Sequence, residues 1–266
     1  RFESRGLGDV YKRQGINIDL LLVLLGLAGC FLAAALTVPA GFGLATMTTP
    51  IFLLWFEPHH AIAGVAIVHG AHNAMKSRML RTHIDRDALR RFGWALLLGA
   101  LIGAVLQSVI PPDPLLLLVG LALIVLPALK VSESWTSLRL PEAEDRIGGF
   151  GSGFLGGLTG HQGALRAMFL KQRLPDKSEY AATAAVLALV VDATRIPIYL
   201  WYDVSVLTVD PWLLVGFVIA ALLGAQIGRI WLEKWKSDDI QKGIMVGLVI
   251  TGVLYVREAL QALSAA

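Results

Sequence analysis

Charge is scarce in this chain. Only 16% of its 266 residues are Asp, Glu, Lys or Arg while 56% are hydrophobic; soluble domains carry about 25% charged residues. That shortage excludes a disordered protein, a nucleic-acid module and an ordinary soluble enzyme. Cysteine is almost missing. Cys30, the single one, lies inside an apolar run, which rules out an intrachain disulfide and a cysteine-rich metal site. The chain also lacks a Gly-x-Ser-x-Gly elbow, a His-Glu-x-x-His pair and a Walker loop, and nothing in it suggests ATP hydrolysis. No cofactor is called for, and nucleic acid is no partner.

What the chain has in abundance is apolar length. Runs at 16–38, 43–56, 61–75, 89–110, 115–129, 147–158, 163–170, 179–200, 212–232 and 243–260 dominate it. A membrane-crossing helix takes about 20 such residues, so the expected partner of most of the surface is a lipid bilayer, and the expected fold is an all-α polytopic membrane protein. Several runs are too short to cross alone, notably 43–56 and the two pieces around Gly160–Gly163; short, glycine-broken pieces read as half-helices meeting inside the membrane. Residues 1–14, polar and without an apolar core, read as a non-native or disordered leader rather than a signal peptide.

The chain reads as a duplication. Gly99-Ala-Leu-Ile-Gly103 recurs as Gly224-Ala-Gln-Ile-Gly228, and His83-Ile-Asp85 as Thr208-Val-Asp210, both 125 positions on; Val119-Gly-Leu121 recurs as Val246-Gly-Leu248. Upstream the offset is nearer 120, setting Gly41–Gly43 against His161–Gly163. Basic residues orient the halves. Lys76–Arg91 and Arg229–Lys242 are rich in Lys and Arg and belong in the cytoplasm; Pro111–Pro114 and Asp203–Asp210 hold none and belong outside. The expected architecture is therefore two inverted repeats, 15–130 and 147–266, joined by a cytoplasmic linker 131–146. Each is a broken, re-entrant helical hairpin followed by three transmembrane helices. Trp201, Tyr202 and Trp212 at one edge and Trp231 and Trp235 at the other fit interfacial belts.

Three clusters could carry function. The hairpin tips, Gly41-Phe42-Gly43 and Gly160-His161-Gln162-Gly163, allow sharp turns and close approach of a ligand, and a half-helix starting at Gly163 offers bare amides and a positive dipole end to an anion. Glycines at 99–103, 224–228 and 153–157 read instead as helix-packing faces. The second cluster is Arg166 with Asp192 and Arg195. Asp192 and Arg195, at i, i+3, can neutralise each other, while Arg166, one turn past Gly163, can lean back to the tip and grip two oxyanion oxygens; at an offset of 120 its counterpart is Thr46. The third is a stripe of His69, His72, Asn73 and Lys76. His69 or His72 could exchange protons or pack as satisfied polar groups between helices; no carboxylate shares the stripe, so no metal is expected. His59 and His60 read as loop residues.

These residues resemble the TauE/SafE family of sulfite-exporter-like permeases. The resemblance rests on Pro39-Ala-Gly41-Phe-Gly43 with Pro50, on His69-Gly-Ala-His72-Asn73-Ala-Met-Lys76 through His83-Ile-Asp85, on Gly156-Gly-Leu-Thr-Gly160-His-Gln-Gly163-Ala-Leu-Arg166, and on Val191-Asp192-Ala-Thr-Arg195. His161 and Gln162 stand where many members are richer in glycine. The resemblance implies a bacterial inner-membrane permease with duplicated halves that moves a small sulfur oxyanion or organosulfonate. On that reading the two tips, Thr46 and Arg166 would bind the anionic solute, while His69, His72, Asn73, Asp192 and Arg195 would couple or gate. The rivals are an intramembrane enzyme acting on a phosphate ester and a passive anion channel. Direction, coupling ion and whether the chain works alone or as a homodimer are left open.

Overall fold

A computed structural model describes residues 17–131, 144–204, 210–232, 234 and 237–265. The expected leader, most of the 131–146 linker, Thr208 and Trp235 lie outside the described residues. Within them the chain is helical, without strands. The helices are α1 (Asn17–Ala40), α2 (Leu44–Phe52), α3 (Pro58–Met79), α4 (Arg86–Val109), α5 (Pro112–Val131), α6 (Glu144–Thr159), α7 (Gly163–Arg173), α8 (Lys177–Tyr202), α9 (Pro211–Leu232) and α10 (Ser237–Ala265).

Local chemistry sets several boundaries. Asp85 caps α4 by accepting from the amides of Asp87 and Ala88, and Asp176 caps α8 through Ser178 and Glu179, the preferred use of Asp at a helix start. Five segments are long and apolar enough to cross a membrane: Leu20–Ala40, Arg86–Val109, Lys177–Tyr202, Pro211–Leu232 and Val246–Ser264. Their outward faces are apolar, with Leu25, Val109, Ile230 and Val253 all more than half exposed, as lipid-facing surfaces are. This differs in one respect from hairpins with equal arms. The 24 residues of α1 reach about 36 Å, whereas the 16 of α6 reach about 24 Å, so the arm before the first tip is long enough to span by itself. The helix after this hairpin, α3, has a spanning length but is diluted by His, Asn and Lys.

The second hairpin closes as expected. Asp145 at the start of α6 meets Arg173 at the end of α7 at 2.7 Å, so the chain returns to the end from which it entered.

Glycine faces hold the helices together. A Cβ on Gly149, Gly153 or Gly157 of α6 would fall 2.0–2.5 Å from the carbonyl oxygens of Phe92, Leu96 and Ala100 on α4, and Gly99 and Gly103 press equally on α6. The register rises along both helices, so α4 and α6 run the same way. Gly224 and Gly228 of α9 sit as closely on Phe31 and Ala35 of α1. Backbones meet where no side chain intervenes, the packing that substitutes for a hydrophobic drive in lipid. The packing reading of all three glycine pairs holds. The Gly151-x-Gly153-x-x-Gly156 spacing, which after a strand would suggest a dinucleotide loop, is helix interior here.

The helix ends define two faces. At one, Asp85 N–H donates to Thr183 Oγ1 at 2.9 Å, and Leu80, Ile84 and Leu232 cluster. At the other, His59 Nε2 meets the Ile110 carbonyl at 2.9 Å and His60 Nε2 meets Asp203 at 2.8 Å. So α3 and α8 run in opposite directions through the centre. His59 and His60 are in the first turn of α3 rather than in a loop. Trp201 and Trp212 are 89% and 83% exposed, in keeping with an interfacial edge, while Trp231 is half-buried.

Candidate functional site between the hairpin tips

The two tips touch at the centre. Gly41, Gly43 and Gly160 have φ of 82°, 110° and 85°, a left-handed backbone that only glycine adopts freely. Gly160 N–H donates to the Leu155 and Gly156 carbonyls at 3.1 Å and ends α6. Space is as restrictive as backbone angle. A Cβ on Gly163 would lie 2.7 Å from Phe42 Cβ, one on Gly160 2.9 Å from Arg195 Nη1, and one on Gly41 2.1 Å from the Tyr180 ring. The first amides of α7 and α2, which no intrahelical carbonyl can satisfy, open at this junction. Matching the left-handed glycines 41 and 160, and the N-caps Gly43 and Gln162, gives an offset of 119. The expected pairing of Thr46 with Arg166 is therefore off by one: Met47 stands opposite Arg166, and half-buried Thr46 opposite Leu165.

Beside the tips lies an excess of positive charge. Arg166 and Lys76 are each 2% exposed, Asp192 and Arg195 0%. Asp192 is spoken for: its Oδ1 accepts from Arg195 Nε at 3.0 Å and lies 2.8 Å from Arg195 Nη2, and its Oδ2 sits 2.6 Å from His69 Nδ1. Arg195 continues to the Gly156 carbonyl at 3.0 Å, and the Tyr199 hydroxyl donates to the Gly157 carbonyl. This chain of contacts pins α8 to the second hairpin. Among the described residues Arg166 has only Gln162 Oε1, at 3.0 Å from its Nη1, and its Nε has no partner. Lys76 forms no ion pair among the described residues, and its strongest charged neighbour is Arg166, a repulsive one. Among the described residues, three cations thus face one carboxylate.

The polar groups around them are also unfulfilled. Among the described residues, the ring nitrogens of His161, Gln162 Nε2 and the Tyr180 hydroxyl are buried without a well-formed hydrogen bond, and each such group costs about 1–3 kcal/mol. A small anion between Lys76, Arg166 and the tip amides would satisfy donors and charge together.

The structure sorts the expected residues. It brings together Gly41, Phe42, Gly43, Gly160, His161, Gln162, Gly163, Arg166, Asp192, Arg195 and His69. His72 turns its Nε2 to the Ala34 carbonyl at 3.2 Å on α1 while its Nδ1 has no partner among the described residues, and Asn73 bonds its own helix at the His69 carbonyl, 2.8 Å away. The lack of a carboxylate on their stripe is made good from another helix, by Asp192. Lys76, which the sequence places both on this stripe and at the start of the basic stretch Lys76–Arg91, is buried on the stripe. One residue of the site has no place in the sequence reading. Tyr180 had no signal, since only the Gly41 turn brings it to the tip.

A cavity of about 270 Å³ lies at the face of His59 and Asp203, lined also by Gln107, Ser108 and Tyr199 among others. Tyr199 is one turn from Arg195.

The family model described as "Sulfite exporter TauE/SafE" covers residues 25–255. No curated protein and no solved structure matches significantly.

Proposed function

The chain belongs to the TauE/SafE sulfite exporter family and is a multi-pass membrane transporter for small anions; from that premise we propose that its substrate is a small sulfur oxyanion held between the two hairpin tips. The observation that carries this reading is the buried pair Lys76 and Arg166, at 2% exposure each, with Asp192 already committed to Arg195 and His69. An unpaired ion in the bilayer interior costs at least about 2.5–3.5 kcal/mol, a cost a bound anion offsets. Arg166 supplies a planar fork for two oxygens and Lys76 a point charge. The amides at the start of α7 add donors that need no rearrangement. Tetrahedral or pyramidal oxyanions of two charges suit a site whose own charge is two units positive.

The halves act as inverted repeats around this site. In support, α3 and α8, equivalent by order in the two halves, cross in opposite directions, and each hairpin packs on the fourth helix of the other half, α6 on α4 and α1 on α9. Rocking of one half against the other would open the tips to each face in turn. His69, hydrogen-bonded to Asp192, would carry the coupling proton, since a bound proton there alters the charge that Asp192 offers Arg195. The bacterial inner membrane is the setting this implies.

Arg166→Ala tests the reading. Reconstituted into liposomes, the variant should insert and fold, and lose at least tenfold in sulfite or thiosulfate uptake. Unchanged uptake would remove Arg166 from the site.

A further inference from the structure

A second cavity, of about 620 Å³, opens between the basic ends of α3 and α9 and is lined by Met75, Met79, Gln226, Arg229, Ile230 and Lys234. Arg229 and Lys234 are exposed and form no ion pair among the described residues. A basic mouth would suit either a dissolved anion or a lipid headgroup, and the walls decide between them. Met75, Met79 and Ile230 make the cavity half apolar. Ile230, 57% exposed, continues a lipid-facing stripe through Leu223 (51%) and Ile219 (52%), four and seven residues apart as one helix face requires. The cavity therefore opens sideways onto the hydrocarbon as well as onto water.

We propose that this cavity holds the headgroup of an anionic phospholipid, with the phosphate on Arg229 and Lys234 and one acyl chain along Ile230, Leu223 and Ile219. Basic pockets between membrane helices at the cytoplasmic face recognise such headgroups through charge. Arg229 and Lys234 lie outside the tip site, so the lipid would brace α9 against α3 without entering the transport path.

The test compares wild type with Arg229→Gln/Lys234→Gln by native mass spectrometry and thermal unfolding, in phosphatidylcholine with or without phosphatidylglycerol, and with inorganic phosphate as a separate arm. Each basic residue is worth about fivefold in binding an anionic lipid, so the double variant should bind phosphatidylglycerol roughly 25-fold more weakly and lose the stabilisation that this lipid gives wild type. Sulfite binding at the tips should be unchanged. Equal phosphatidylglycerol binding by both proteins would overturn the proposal. So would stabilisation of wild type by inorganic phosphate as large as that by the lipid, which would make the cavity a port for dissolved anions. Wild type alone also decides it, because a protein indifferent to phosphatidylglycerol has no such site.

Discussion

Lys76→Met separates a ligand-binding lysine from a structural one, because the two roles predict opposite signs. Lys76 is 2% exposed, makes no ion pair among the described residues, and is repelled by Arg166. At an effective dielectric constant near 20, two unit charges about 4 Å apart interact by about 4 kcal/mol, of which solvation and relaxation leave a net charge-assisted contact of about 1.5–3 kcal/mol. Removing the charge should therefore weaken anion binding about 10- to 150-fold. Methionine keeps the length of the stem and relieves the repulsion with Arg166. Replacing a poorly compensated buried charge with an apolar group of similar size is neutral to stabilising, by up to about 4 kcal/mol. The ligand-free variant should thus melt at or above the wild-type temperature, yet gain little from added sulfite, whose protection of wild type grows with the logarithm of its concentration. The assay is thermal unfolding across a sulfite titration, with liposome uptake measured in parallel. A variant that melts lower without ligand and is protected by sulfite as well as wild type would refute the reasoning, since Lys76 would then be holding the helices rather than the anion.

Other perturbations probe separate parts of the account. Gly163→Ala should push the tips apart, because the added Cβ would sit 2.7 Å from Phe42 Cβ; uptake should fall, and Phe42→Ala should partly restore it in the double variant. His69→Gln should abolish accumulation driven by a proton gradient while sparing exchange of labelled for unlabelled anion across the same liposomes; loss of both would assign His69 to folding or binding instead. Gly153→Leu on the α6 face should destabilise by more than about 3 kcal/mol, in line with severe overpacking, since its Cβ alone would lie 2.0 Å from the Leu96 carbonyl oxygen; thermal unfolding in detergent reads this directly.

Much of the helical layout was legible because lipid imposes strong rules. Apolar length marked the spans, and the glycine pairs at 99–103, 153–157 and 224–228 announced backbone contact, since small residues at that spacing have little other use on a membrane helix. The second re-entrant hairpin followed from a run too short to cross and broken at Gly160. The gaps have equally physical causes. The His69–Asp192 pair joins positions 123 residues apart on different helices, so no local spacing reveals it. Lys76 reads two ways in the sequence, as the first of the basic residues with Arg78 and Arg81 and as a member of the stripe of His69 and His72, and only its burial decides for the stripe. The tip alignment slipped by one because glycines were matched by type: Gly43 and Gly163 look equivalent in sequence, whereas the left-handed turns match Gly41 with Gly160. Tyr180 carries no motif and owes its place to the absent side chain of Gly41.

The most direct measurement is a crystallographic or cryo-EM structure with selenite bound, selenium serving as a heavy analogue of sulfur. The account predicts selenium density between Gly41–Gly43 and Gly160–Gly163, within salt-bridge distance of both Lys76 Nζ and the Arg166 guanidinium. Density anywhere else, with neither side chain contacting the anion, would contradict it.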